Sequence, residues 1–252
     1  MDNTRKQSIK NLIEEKGRIS LDELGKRYPD VSSMTLRRDL LSLEEAGEVI
    51  RVRGGAVSVK EINKNVEDIY SQRAVINTEL KKEIASKAAV FAERGHSIFI
   101  DSGSTAHYFT KALLDINYYI TTNGLNIAME LSRRSMPVVN LIGGVVNKNN
   151  LAASGNLSKI FLDNINIDIA FMVCSGFSEE TGFMCGSMTE NQLKSEVVAK
   201  AKKIIMLMDS SKVNKSMPFT FCKASDIDIL VSDSKLPAEI RNFFEERNIE
   251  VI

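Results

Sequence analysis

Ser32-Ser-Met-Thr-Leu-Arg-Arg-Asp-Leu-Leu-Ser-Leu-Glu-Glu-Ala46, followed by Gly47, has the apolar spacing of a short amphipathic helix. Leu36, Leu40 and Leu43 form one stripe, Ser32 or Ser33 can cap the start, and Gly47 can close the end. Arg38 lies about 200° around the helix from Leu36 at ~100° per residue, so it faces away from the stripe, with Thr35 and Arg37 flanking the outer face. Working backwards, Ile9, Leu12 and Ile13 fit a first helix that stops at Lys16-Gly17. Ser20 can cap a second, carrying Leu21, Leu24 and Tyr28 on one face, which Pro29 breaks. Three short helices with a tight turn before the third outline a helix-turn-helix, whose last helix presents its N-terminal residues to the DNA major groove. A plain solvated face carrying two arginines would explain that helix equally well if it stood alone.

The segment that follows favours the DNA-binding reading. Glu48-Val-Ile-Arg-Val-Arg-Gly-Gly-Ala-Val-Ser-Val59 places β-branched residues on both sides of Gly54-Gly55, the pattern of a hairpin. A hairpin directly after a recognition helix is a wing, and Arg51 and Arg53 on it can reach flanking phosphates. The whole chain carries 33 Lys plus Arg against 33 Asp plus Glu, so a DNA-binding surface must be a local patch. Arg37, Arg38, Arg51 and Arg53 are expected to form it, with Glu14, Glu15, Glu44 and Glu45 elsewhere.

Val31-Ser-Ser-Met-Thr-Leu-Arg-Arg-Asp-Leu40, Leu43-Glu44, Gly47 and Arg53-Gly-Gly-Ala56 together closely resemble the DNA-binding signature of the DeoR family of bacterial regulators. The resemblance implies that Ser32, Ser33, Thr35, Arg37, Arg38, Arg51 and Arg53 face operator DNA. The expected organisation is a winged helix-turn-helix over 1–59, a polar linker over 60–77 that is helical in part, and a larger domain over 78–252.

In that larger domain helical and strand-like segments alternate. Ser97–Ile100, Tyr118–Thr121, Val138–Ile142, Ile167–Val173, Ile204–Met208, Ile227–Val231 and Ile249–Ile252 read as strands, with helices between them. The pattern predicts an α/β fold: an open, mostly parallel, Rossmann-like sheet with helices on both faces and ligands at the carboxyl ends of its strands. Five of those ends carry small, hydroxyl or amide residues: Asp101-Ser-Gly-Ser-Thr105, Thr121-Thr-Asn-Gly124, Gly143-Gly144, Cys174-Ser-Gly176 and Asp209-Ser-Ser-Lys212. The first follows a strand and opens a helix, which makes a phosphate cradle, although Ser104 or Thr105 could simply cap that helix. Close backbone approach to a ligand is expected at Gly143 and Gly144.

Asp101-Ser-Gly-Ser-Thr105, Thr122-Asn-Gly124, Ile142-Gly-Gly144, Ser154-Gly155, Asp168-Ile-Ala-Phe171 with Gly176, Glu190 with Lys194, and Asp209-Ser-Ser-Lys212 resemble the DeoR sensor domain over nearly all of residues 79–252. That domain is similar to ribose-5-phosphate isomerase. The likeness implies that Ser102, Gly103, Ser104 and Thr105 hold a phosphate, with Asp101, Asn123, Gly143, Gly144, Gly176, Glu190, Lys194 and Lys212 around the rest of the ligand. The isomerases follow the matching strand with an acidic run, and here Met172-Val-Cys-Ser-Gly-Phe177 stands in its place. The expectation is therefore a sensor, typically a repressor of a sugar-metabolism operon, rather than an enzyme, with isomerase activity on a DNA-binding chain as the alternative.

No cofactor is expected: the small molecule is an effector, a phosphorylated sugar or polyol. Cys174, Cys185 and Cys222 are far apart and, with His96 and His107, form no metal-ligand spacing, which weakens a metal- or redox-responsive regulator. His107, just past the Asp101–Thr105 loop, reads as an ordinary helix residue, with a place facing the ligand as the alternative. The charged N-terminus is no signal peptide, and no apolar run is long enough for a membrane span, so a cytoplasmic protein is expected. One helix-turn-helix of this size reads few base pairs, so a homodimer or homotetramer is expected on operator DNA.

Overall fold

Ile9 and Ile13, one helical turn apart, are fully buried and fix the first helix, α1 (Asp2–Lys16), to its neighbours. They belong to a computed structural model that describes residues 2–46, 48–52, 54–58 and 70–252. By internal contacts the chain divides into two units, Met1–Val66 and Glu67–Ile252. Gly47, Arg53 and residues 59–69, the larger part of the expected linker, lie outside the described residues.

After α1 come a short strand, β1 (Arg18–Ser20), and α2 (Leu21–Arg27), started by a capping box in which the Ser20 hydroxyl accepts from the Glu23 amide and Glu23 accepts from the Ser20 amide. The third helix, α3 (Ser33–Glu45), is capped by Ser32, whose Oγ accepts from the Thr35 amide at 3.2 Å. Leu36, Leu40 and Leu43 are buried as their spacing requires, in a core with Ile9, Ile13, Ile19, Leu24, Val49 and Ala56. The hairpin β2 (Val49–Val52) and β3 (Gly55–Ser58) turns at Gly54, which has φ +87°. β3 also pairs with β1, which sequence reading left out because a three-residue strand shows too little alternation. That pairing explains Gly55: a Cβ there would stand 2.1 Å from the Ile19 carbonyl oxygen.

The second unit opens with α4 (Tyr70–Val75) and α5 (Thr78–Ala89), so the last part of the expected linker is built into it. There follow β4 (Ser97–Ile100), α6 (Ser104–Ala112), β5 (Tyr119–Thr122), α7 (Leu125–Leu131), β6 (Val138–Leu141), a hairpin β7 (Val145–Asn147) and β8 (Ala152–Ser154), and α8 (Asn156–Asp163). Then come β9 (Ile169–Val173), β10 (Gly176–Ser178), β11 (Gly182–Cys185), α9 (Met188–Lys200), β12 (Lys203–Leu207), β13 (Phe219–Cys222), β14 (Ile229–Val231), α10 (Ala238–Glu245) and β15 (Glu250–Val251).

Seven strands pair in parallel in the order β15-β14-β12-β9-β4-β5-β6. Side chains alternate between faces, as strand geometry demands: Phe99 joins one core with α8, α9 and α10, while Ile98 and Ile100 join the other with α5, α6 and α7. An antiparallel sheet, β10-β11-β13, adds Phe177, Phe183 and Phe221 to the first core. From β4 the chain runs outward through β5 to β6, then returns to β9 and runs the other way. The strand order therefore reverses between β4 and β9, where such sheets form a ligand crevice. Among the described residues no helix is long and apolar enough to cross a membrane.

Candidate functional site

On the first unit, α3 presents Ser33, Arg37 and Arg38 to solvent while Asp39, next in sequence, is buried. Asp39 accepts from Arg5 Nε at 2.7 Å and Nη2 at 3.2 Å, which ties α3 to α1 and fixes the outward face. The Thr35 hydroxyl is 2.9 Å from Ser32 Oγ, so two of the expected DNA contacts first serve the helix start. Arg37 and Arg51 line one groove with Leu21, Leu40, Val52, Gly54 and Gly55. Glu44 corrects the charge map drawn from sequence. It was expected away from the arginines, but its carboxylate accepts from the Arg51 amide at 3.0 Å and from Arg51 Nε at 2.7 Å. Those two bonds hold the Glu44 pKa below its ordinary value and offset the Arg51 charge. The hairpin folds back onto the end of α3, a contact that residue spacing does not reveal.

On the second unit, Asp101, Ser102, Ser104 and Thr105 are buried at the end of β4. Gly103, at φ +140°, is the N-cap of α6, and no side chain caps this helix. The simplest alternative for Ser104 and Thr105, helix capping, is thereby removed. A Cβ on Gly103 would stand 3.0 Å from Val173 Cγ2, so the loop hugs the end of β9. Asn123 Oδ1 accepts from the Ser102 amide at 3.1 Å and holds the next strand end against it.

Asp101 is the hub. Its carboxylate accepts from the Ser102 amide at 2.8 Å and the Val173 amide at 3.0 Å, and it is hydrogen-bonded to the Lys194 ammonium. Lys194 also donates to the Val173 carbonyl at 2.9 Å and stands 3.5 Å from Glu190 Oε1. Burial pulls the Lys194 pKa down, but Asp101 and Glu190 outweigh it and hold the ammonium protonated above its ordinary value. These three residues were expected to face a ligand; their first partners are one another.

A second cluster lies at the end of β12. Asp209 accepts from Asn77 Nδ2 at 3.4 Å and from the Ser211 amide at 3.2 Å, while its buried Oδ2 has no hydrogen-bond partner and lies 3.9 Å from Lys212 Nζ. Burial raises the Cys174 thiol pKa to about 12, and Lys212, Lys194, Asp209 and Asp101 all act on it. Asp101 and Lys194 thus sit at the end of β9 through their bonds to Val173, and Asp209 and Lys212 at the end of β12, its neighbour in the sheet.

Some expected contacts are used otherwise. A Cβ on Gly144 would lie 2.5 Å from the Ser154 carbonyl oxygen, and one on Gly176 would lie 2.0 Å from that of Lys215. The close approach these glycines permit is to the chain's own backbone. Gly143 has open space at its Cα, and its carbonyl accepts from Ser158 Oγ at 3.0 Å.

Sequence reading missed Arg73, Asn150 and Lys81. Asn150 Nδ2 donates to Glu190 Oε2 at 2.9 Å, and Asn150 Oδ1 accepts from Arg73 Nη2 at 3.0 Å. Buried Lys81 donates to the Ile76 carbonyl at 2.6 Å and to that of Arg73, and desolvation lowers its pKa to about 8. His107 lies within α6, with Nδ1 2.6 Å from the Tyr70 hydroxyl.

The comparisons with known proteins match both halves of the chain. Residues 5–62 match the model of the DeoR-like helix-turn-helix domain, and residues 76–234 that of the DeoR C terminal sensor domain. The HTH-type transcriptional regulator GolR of Listeria innocua is 32% identical over 98% of this chain and 96% of its own. The putative aga operon transcriptional repressor of Escherichia coli O157:H7 is 26% identical over 98% of this chain and 92% of its own. Among solved structures, ribose 5-phosphate isomerase A from Methanocaldococcus jannaschii overlaps 55% of this chain and 56% of its own at 21% identity, with a TM-score of 0.39.

Proposed function

This chain belongs to the DeoR family of DNA-binding transcriptional regulators, and from that premise we propose that it represses a sugar-metabolism operon under control of a phosphorylated sugar or polyol. The relatives are named regulators along almost the whole chain, so the protein is a regulator and not an isomerase with an appended DNA-binding unit. Its small molecule is an effector rather than a cofactor, and its place is the cytoplasm, beside the DNA.

The observation that carries the effector reading is the start of α6, where Ser102, Ser104 and Thr105 are buried at the reversal of strand order and none of them caps the helix. Helix-start amides and hydroxyls suit a phosphate, which carries nearly two negative charges and three strong acceptor oxygens. Lys212, at the end of β12, can supply a cation, and Asp209 Oδ2 can accept from a sugar hydroxyl. Calorimetry with pentose and hexose phosphates beside the matching free sugars tests the reading. A phosphorylated form should bind at least about tenfold tighter than its free sugar, a difference of ~1.4 kcal/mol, and the Ser104→Ala, Thr105→Ala double variant should lose that margin. Equal binding of both forms, or full phosphate affinity in the double variant, removes the site.

We also assign the active form to a homo-oligomer, a dimer or tetramer, because paired half-sites about one helical turn apart need two recognition helices. Strand β6 ends the sheet, and Val138 and Leu141 on it and Val145 and Val146 on β7 are exposed. An exposed apolar edge of this kind invites pairing with a second copy. Light scattering on Val145→Lys with Val146→Lys should show a smaller species than wild type, with weaker operator binding. An unchanged mass would place the contact elsewhere.

A further inference from the structure

Asn150 sits between a group that only accepts and a group that only donates. Its Nδ2 faces Glu190 and its Oδ1 faces Arg73. A primary amide meets both demands at once, and the two neighbours fix which end is which. From Glu190 the line runs on through Lys194 and Asp101 to the Ser102 amide at the start of the effector loop. Asp101, Lys194, Glu190 and Asn150 are all nine-tenths or more buried.

At its other end the line reaches α4. Arg73 is half-buried there, and the segment around it is fastened to the same strand-end loops: the Tyr70 amide donates to the Asn149 carbonyl at 2.6 Å, and Asn77 Nδ2 donates to Ser211 Oγ at 3.1 Å. Lys81 holds the end of the segment through the Arg73 and Ile76 carbonyls. In sequence, this is the first described segment after the wing.

We propose that Ser102, Asp101, Lys194, Glu190, Asn150 and Arg73 form a polar line that couples the effector loop to segment 70–77, with Asn150 as its positioning residue. The proposal rests on the reading of Ser102–Thr105 as the effector loop. Its physical basis is that buried charges are satisfied only in a few discrete arrangements, because moving one partner strands the next. An anion beside the Ser102 amide competes for the surroundings of Asp101. Lys194 then redistributes between Asp101 and Glu190, Asn150 follows Glu190, and the hold on Arg73 changes. A bound effector can switch the protein only by favouring one arrangement over the other.

Hydrogen–deuterium exchange on the full-length protein without ligand tests this. Arg73→Ala should speed exchange of the Ser102–Thr105 amides, and Glu190→Gln that of residues 70–77, each by about threefold or more. Both effects should vanish in an Asn150→Asp background, which keeps an acceptor for Arg73 but loses the donor to Glu190. A merely structural role for Asn150, pinning α4, would survive that change. If Glu190→Gln does not fold, the Arg73→Ala arm decides alone, with its thermal melt as the check. Effects that stay local with Asn150 intact, or that cross equally well with Asp at 150, overturn the line. Since no ligand is used, this failure is distinct from failure of the effector reading, which the calorimetry decides.

Discussion

Lys194→Met should lower the stability of the sensor unit by about 3–5 kcal/mol, a large part of the ~5–15 kcal/mol that holds a domain together. Methionine keeps most of the volume and the contact with Phe221, over whose ring the ammonium lies 5.1 Å from the centroid. The substitution therefore removes the charge and its hydrogen bonds with little loss of packing. What is left is buried Asp101 without the ammonium that bonds it, Glu190 with one neighbouring cation fewer, and the Val173 carbonyl without one donor. Repairing the charge balance should restore much of the loss: Lys194→Met combined with Asp101→Asn and Glu190→Gln leaves no stranded ion.

The pH dependence gives a second readout. In the Lys194→Met variant Asp101, whose folded-state pKa burial already raises above its unfolded value, loses the ammonium that opposes the rise and goes higher still. The folded state then binds more protons than the unfolded state between those values, so stability falls as pH rises through that window. The deficit against wild type should be smallest near the unfolded carboxylate range at about pH 4 and largest at neutral pH. Urea unfolding, followed on the sensor unit's transition at several pH values, measures this. A Lys194→Met variant within about 1 kcal/mol of wild type at neutral pH would show that the triad is not a closed charge cluster.

What could be read in advance follows a physical division. Leu36, Leu40 and Leu43 announce α3 because helix burial repeats along the chain, and the parallel strands announce themselves as apolar runs because both sheet faces are covered. Residues 101–105 could be singled out as a candidate site because strand end, glycine, hydroxyls and helix start are consecutive in sequence. Ala152–Ser154 and Gly176–Ser178 were not legible as strands, since small residues and three-residue lengths carry no periodic signal. Asn150 and Arg73 read as loop and linker polars, for their importance comes from partners 40 and 77 residues away. Lys81 looked like one more charge on an amphipathic helix until its carbonyl partners were seen. Gly144 and Gly176 show the converse: a glycine reports close approach but not what approaches.

Arg38→Ala and Leu40→Ala, two residues apart on α3, should fail in opposite ways. Arg38 is exposed, so its loss should leave thermal unfolding of the DNA-binding unit nearly unchanged. Specific operator binding should nevertheless weaken by about 1–3 kcal/mol if the guanidinium reads a base edge. At fixed salt, binding to unrelated DNA should fall much less, because a single phosphate contact is a small part of the electrostatic term. Leu40 is buried in the small core, so its truncation should cost about 2–5 kcal/mol of stability, with DNA binding lost only as the unit unfolds. Lowering the temperature should rescue operator binding by Leu40→Ala and leave the Arg38→Ala deficit in place. Anisotropy titrations at two temperatures, beside melting curves, separate the two mechanisms. Wild-type operator affinity in Arg38→Ala would move base recognition from Arg38 to Arg37, which shares its groove with the Glu44-paired Arg51.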